Sequence, residues 1–158
     1  MRKLNCHSLQ RDINSLCKFL DETYSINLGG CCFLASLIAK YLDKLNIKYK
    51  LVIYEDTIKD YISIAHEITN CRKNKGFRNS VTGYYTCSHY CLQILGSGVI
   101  NGSKGYIHQY TIPNISHKNI QWIYRNGYWN DSYNVQYNKA VKNIVKAFFS
   151  KYEKISSF

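Results

Sequence analysis

Along residues 8–24 (SLQRDINSLCKFLDETY) the apolar positions Leu9, Ile13, Leu16, Leu20 and Tyr24 recur every three or four residues. That period predicts an amphipathic helix, with Ser8 placed to cap it. After a SINLGG loop, residues 31–45 (CCFLASLIAKYLDKL) form the most apolar run of the chain. Leu34, Leu37, Ile38, Tyr41, Leu42 and Leu45 cover so broad an arc that this helix is expected to be central and mostly buried. Asn46 ends it, and residues 48–54 (KYKLVIY) read as a strand. A helical period returns over 57–69 through Ile58, Tyr61, Ile62, Ala65 and Ile68, before a basic loop over 70–80. Residues 84–95 predict a strand, Gly96-Ser97-Gly98 a tight turn, and 99–102 the returning chain. Another strand falls within 105–112, ahead of Pro113, while 120–134 holds both tryptophans without a clean period. From Asn134 a last helix sets Val135, Val141, Ile144, Val145, Phe148, Phe149 and Tyr152 on one side. Lys139, Lys142, Lys146, Lys151 and Lys154 face the other way, as a solvated surface.

Helices and strands are thus segregated rather than alternating, which predicts an α+β fold. The expected architecture is a central helix packed on an antiparallel sheet, with helices at both ends of the chain. At 158 residues the sequence suits one domain spanning 1–158, and it carries no internal repeat. The opening MRKLNCHSLQRD lacks a signal-peptide core, and no apolar run reaches membrane-spanning length. A cytoplasmic protein with no membrane partner is expected. Seven cysteines, an odd number that includes the adjacent pair Cys31-Cys32, read as reduced thiols rather than a disulfide framework. The formal charge of +11 raises a nucleic-acid partner as an alternative, yet the basic residues are scattered. Their densest cluster is Arg72-Lys73-Asn74-Lys75 with Arg78.

The strongest chemical signal is Asn27-Leu28-Gly29-Gly30-Cys31 running directly into the apolar helix. A thiol at a helix N-terminus meets the positive end of the macrodipole and a set of unpaired amides, which favour the thiolate and can hold an oxyanion. The two glycines admit a close approach of backbone and substrate, and the second, Gly30, is a candidate substrate-binding position. A nucleophilic cysteine needs a base, and the base an orienting partner. On the strand 87–95, His89 shares a face with Cys87 and Cys91, while Tyr90, Leu92 and Ile94 take the opposite one. The turn after Leu95 brings Asn101 back toward His89, where its side-chain carbonyl is expected to accept the imidazole N–H. Cys87, His89 and Cys91 could alternatively be metal ligands, but they lie on a strand rather than a knuckle and lack a second pair; no metal is expected. Trp129, in the aromatic stretch 122–133, is expected to wall a cleft against substrate.

The run NLGGCCFLASLIAKYLDKL, followed by KYKLVIY, SHYCLQI and VING, resembles the papain-like and transglutaminase-like cysteine peptidase superfamily. The likeness is to small members carried by bacteriophages and bacteria, in which Gly-Gly-Cys leads the helix, and it covers roughly residues 24–104. It implies Cys31 as nucleophile, His89 as general base and acid, and Asn101 as orienter. It also implies a hydrolase or acyl transferase, a peptidase first, acting on a peptide, isopeptide or amide bond of a protein or peptide substrate, with no cofactor. The chain departs from the papain pattern in having no Gln just before the cysteine; Asn27 is the nearest oxyanion candidate. Cys32 is the other candidate nucleophile. The alternative is a non-catalytic basic binding module or virion-associated protein that keeps the fold.

Overall fold

The structure, a computed structural model, describes residues 4–27, 30–55, 89–103, 108–126 and 135–156. The predicted helix over 57–69 and the basic loop over 70–80 lie outside the described residues, as do Cys87 and Trp129. Within them the chain is α+β, with helices α1 (Cys6–Tyr24), α2 (Cys31–Lys44), α3 (His117–Asn126) and α4 (Asn138–Ser156). Strands β1 (Tyr49–Glu55), β2 (His89–Ile94), β3 (Val99–Ile100) and β4 (His108–Ile112) form one antiparallel sheet in the order β3-β2-β1-β4.

α1 starts two residues earlier than the apolar period indicates. Its cap is Asn5, whose Oδ1 accepts the amides of His7 and Ser8 at 3.0 and 3.2 Å, so Ser8 is capped rather than capping. Leu9, Ile13, Leu16, Cys17 and Leu20 form its buried stripe, and Ser25 in the left-handed region ends it. α2 is buried along its first nine residues, Cys31 to Ala39, and again at Tyr41 and Leu42. It stops at Asn46, φ 56°, where the amides of Asn46 and Ile47 turn back to the carbonyls of Asp43 and Leu42 at 3.1 and 2.9 Å. Asparagine tolerates the left-handed conformation that this ending requires, so Asn46 is read correctly as the stop.

α3 is the element missing from the sequence reading. It is amphipathic but short, with Ile120 and Ile123 fully buried among its described side chains, and its apolar face is mixed with polar residues. Polar anchors fix it as well. Asn119 Oδ1 accepts both the amide and the hydroxyl of Ser116, at 3.0 and 2.7 Å, which closes the first turn. Asp43 at the end of α2 takes the amide and the ring Nδ1 of His117 on Oδ2, and the hydroxyl of Tyr49 on Oδ1 at 2.8 Å. One carboxylate thereby ties α2, β1 and α3. α4 packs Val141, Val145 and Phe149 inward, and Phe149 stacks on Tyr41 with ring centroids 4.8 Å apart. Its lysines 139, 142, 146, 151 and 154 are exposed, as expected.

Alternation along the sheet separates two faces. Leu51, Ile53, Tyr90, Leu92, Ile94, Ile100 and Ile112 join the helices in the main core, whereas Val52, Tyr54 and Cys91 form a second, smaller cluster. No described helix is long and apolar enough to cross a membrane. Because Leu42 is fully buried in α2 and Lys40 is exposed on it, the two positions separate packing from propensity. Leu42→Ala is expected to cost about 2–5 kcal/mol in urea unfolding and Lys40→Ala less than about 0.5 kcal/mol. Equal losses would contradict this account of the core.

Candidate active site

Ile26 and Gly30 anchor the start of α2, which brings Cys31 to the sheet. Ile26 is buried, its carbonyl accepts the Gly30 amide at 2.8 Å, and Gly30 then caps α2 with no side chain of its own. Gly30 sits at φ −101°, which any residue can adopt, so its value lies in the missing side chain rather than in unusual backbone angles. No acidic residue occupies the first turn of α2 either, leaving the positive end of the helix without side-chain compensation.

Cys31 and Cys32 point to different partners. The Cys32 thiol donates toward the Ile120 carbonyl of α3 at 3.7 Å. Cys31 instead reaches β2, where its sulfur accepts the Tyr90 amide at 3.5 Å. Standard backbone dimensions then place that sulfur within about 6 Å of the Cα of His89, the preceding residue. Both residues are buried, Cys31 at 3 % and His89 at 4 % exposure.

The imidazole of His89 is held by main chain. Its Nε2 lies 2.6 Å from the Asn101 carbonyl oxygen. A carbonyl only accepts, so Nε2 carries the proton and Nδ1 is the basic nitrogen of the neutral ring. The acceptor is therefore the backbone of Asn101, not its side-chain carbonyl as the sequence suggests. The reason is local: Asn101 is left-handed, at φ 59°, and its side chain pairs with Asn27. Asn101 Nδ2 donates to Asn27 Oδ1 at 2.9 Å and Asn27 Nδ2 donates back to Asn101 Oδ1 at 3.1 Å. Asn27, expected as an oxyanion donor, thus spends one of its amide protons on Asn101. The Asn101 amide in turn donates to Asn14 Oδ1 at 2.7 Å.

Burial pushes the His89 pKa below the ordinary histidine value, while the Asn101 carbonyl and the nearby Asp21 carboxylate pull it back upward. Asp21 is itself fixed by the Asn27 amide, which donates to its Oδ1 at 3.0 Å. On the second face of the sheet the Tyr54 ring lies 5.9 Å from that of His89. The Tyr54 hydroxyl hydrogen-bonds the Cys91 sulfur and the Ser103 amide. Burial raises the Cys17 thiol to about 12, and burial with the neighbouring Cys31 and Cys17 raises that of Cys91 further. Among the described residues no group of three or more potential ligands is placed to hold a metal.

The structure thus gathers Cys31, His89, Asn101 and Asn27, with Gly30 leading in, and adds Asn14, Asp21 and Tyr54. The polar repeat Gln10, Asn14, Asp21 along an otherwise amphipathic helix was the available signal for two of them. Tyr54 had none, being one of fifteen tyrosines. These elements define a small α+β protein in which a helix-initiating cysteine meets the strand that carries a buried histidine. Comparison with protein-family models, curated proteins and solved structures returns no match for the chain.

An imidazole that resists protonation in the fold makes unfolding take up a proton in acid. Its contribution to stability is complete above the ordinary value near 6.5 and is lost as pH falls through the lower folded value. Urea unfolding from pH 8 to 4 is expected to show wild type losing more stability below pH 6.5 than His89→Gln. Parallel curves for the two chains would contradict the assignment.

Proposed function

We propose that the chain is a cysteine-dependent hydrolase or acyl transferase of papain-like or transglutaminase-like arrangement, acting on peptide, isopeptide or amide bonds. The observation carrying this reading is the Cys31 sulfur seated on the amide of Tyr90, the residue that follows His89, whose basic ring nitrogen is set by the Asn101 carbonyl. Neutral His89 takes the Cys31 proton on Nδ1 as the sulfur attacks the carbonyl carbon. The amides opening α2 are the donors closest to the resulting oxyanion. Collapse breaks the C–N bond, the imidazolium returns its proton to the leaving nitrogen, and a thioester on Cys31 remains. Water then completes a hydrolysis, or an amine completes a transfer. Peptide hydrolysis in the cytoplasm of the cell that makes the protein is the first reading; virion association is the alternative if a phage carries it.

A second reading draws on the burial of both residues, which fits a non-catalytic basic module holding the pair as core. Labelling by iodoacetamide separates the two. The thiol-enzyme reading expects rapid modification that Cys31→Ala abolishes, that Cys32→Ala retains, and that His89→Ala slows on the order of 100-fold. Because His89 must be neutral to act as base, the acid limb of this reactivity is expected below pH 6.5. Asp21→Asn is expected to move it lower still, by removing a charge that supports the imidazolium. Equal labelling of wild type and Cys31→Ala would leave the binding module, and steeply salt-dependent retention on DNA or RNA would make it a nucleic-acid binder.

A further inference from the structure

α1 carries its polar edge where an N-terminal helix has no need of one. Gln10, Asn14 and Asp21 fall within about 40° of each other around the helix axis. All three face main chain that leads to the site. Gln10 Nε2 and Asn14 Nδ2 both donate to the Val99 carbonyl, at 3.3 and 3.2 Å. Gln10 Oε1 also accepts the Ser97 hydroxyl, and Gly98 gives it room, since a Cβ there would stand 2.6 Å from Gln10 Nε2. Asn14 Oδ1 takes the Asn101 amide at 2.7 Å, and Asp21 takes the Asn27 amide. The helix therefore binds the returning arm of the hairpin from Ser97 to Asn101 by its backbone.

Every hydrogen-bonding group of Asn101 is engaged. Its side chain is held by Asn27, its N–H by Asn14, and its carbonyl by His89. Asparagine tolerates the φ of 59° found here, and these anchors hold the residue in it. Of these, the bond to Asn14 fixes the peptide plane on the N-terminal side of the residue, and with the side-chain pair it restricts how far the carbonyl can turn. We infer that Asn14 is a positioning residue for His89: through the Asn101 backbone it sets the ring's tautomer and the direction of its basic nitrogen. Its role in acyl transfer rests on the thiol-enzyme reading; its control of the tautomer does not.

The test is imidazole 15N NMR on the full chain, with the His89 signals assigned by their loss in His89→Gln. Wild type is expected to show the Nε2–H tautomer. Asn14→Ala is expected to give a tautomer mixture, and Asn14→Asp, which keeps an acceptor for the Asn101 amide, to restore the Nε2–H form. Iodoacetamide labelling of Cys31 is expected to fall between tenfold and about 100-fold in Asn14→Ala and to recover in Asn14→Asp. An Asn14→Ala chain that folds and keeps the single Nε2–H tautomer overturns the inference. Where the alanine chain fails to fold, Asn14→Ser, neutral and too short to reach the Asn101 amide, decides: a tautomer mixture supports the role and the single Nε2–H form overturns it. Absence of His89-dependent labelling in wild type would instead sink the thiol-enzyme reading and leave the tautomer result standing.

Discussion

The burial of α2 is the constraint from which the rest of the fold follows. Eleven of its fourteen residues are buried, nine of them in succession from its first position. A helix whose solvent edge is narrowed to Lys40, Asp43 and Lys44 must be covered on its other flanks, and the sheet, α1, α3 and α4 each take part of that task. Burying the N-terminus of such a helix carries a penalty, because its first amides have no partners within the helix. That end lies against β2 beyond the last β3 pairing, where the Tyr90 amide donates to the Cys31 sulfur. Packing thus brings the first residue of α2 to β2 at the level of His89 and Tyr90.

What stabilises the site is a polar network enclosed by that packing. The Asn27–Asn101 pair satisfies both amides at once, and the Asn101 main chain is satisfied from both sides. Asn14, Asn27 and Asn101 are part-buried, so each bond of the network contributes at the modest end, about 0.5–1.5 kcal/mol. His89 is drier, at 4 % exposure. Burial favours the neutral ring, the Asp21 carboxylate opposes it, and burial is the larger effect. The outcome is a base that is uncharged at neutral pH and can accept a proton as one becomes available. That differs from a preformed thiolate–imidazolium pair, which burial would penalise twice.

The legible parts of the sequence were those in which one face of an element is buried continuously. α1, α2 and α4 repeat apolar residues every three or four positions, and β1 and β2 carry contiguous apolar runs. α3 was missed because it is only ten residues long and its buried positions, Ile120 and Ile123, are set among polar and aromatic residues, with its start fixed by Asp43, Ser116 and Asn119. The site was legible in outline, since a cysteine opening a helix and a histidine before a tight turn are local patterns. Its detail was not. A sequence shows that Asn101 follows the turn but not that its φ is positive, and this sign decides whether side chain or carbonyl meets the ring. Asn14 and Asp21 lie more than sixty residues from His89, and only tertiary packing brings them near.

Among the cysteines, position matters more than exposure. Cys17 and Cys91 are buried thiols pushed far from ionisation. Cys32 is completely buried and gives its proton to a carbonyl. Cys6 opens a helix as Cys31 does, but the side chain of Asn5 occupies the amides there. At Cys31 the helix start carries no side-chain cap, and the sulfur receives a hydrogen bond from the Tyr90 amide. A donor aimed at sulfur favours the electron-rich form of the atom, whereas an acceptor facing a thiol favours the protonated form. That contrast, between two adjacent residues of the same type, is what favours Cys31 over Cys32 as the nucleophile in the proposed function.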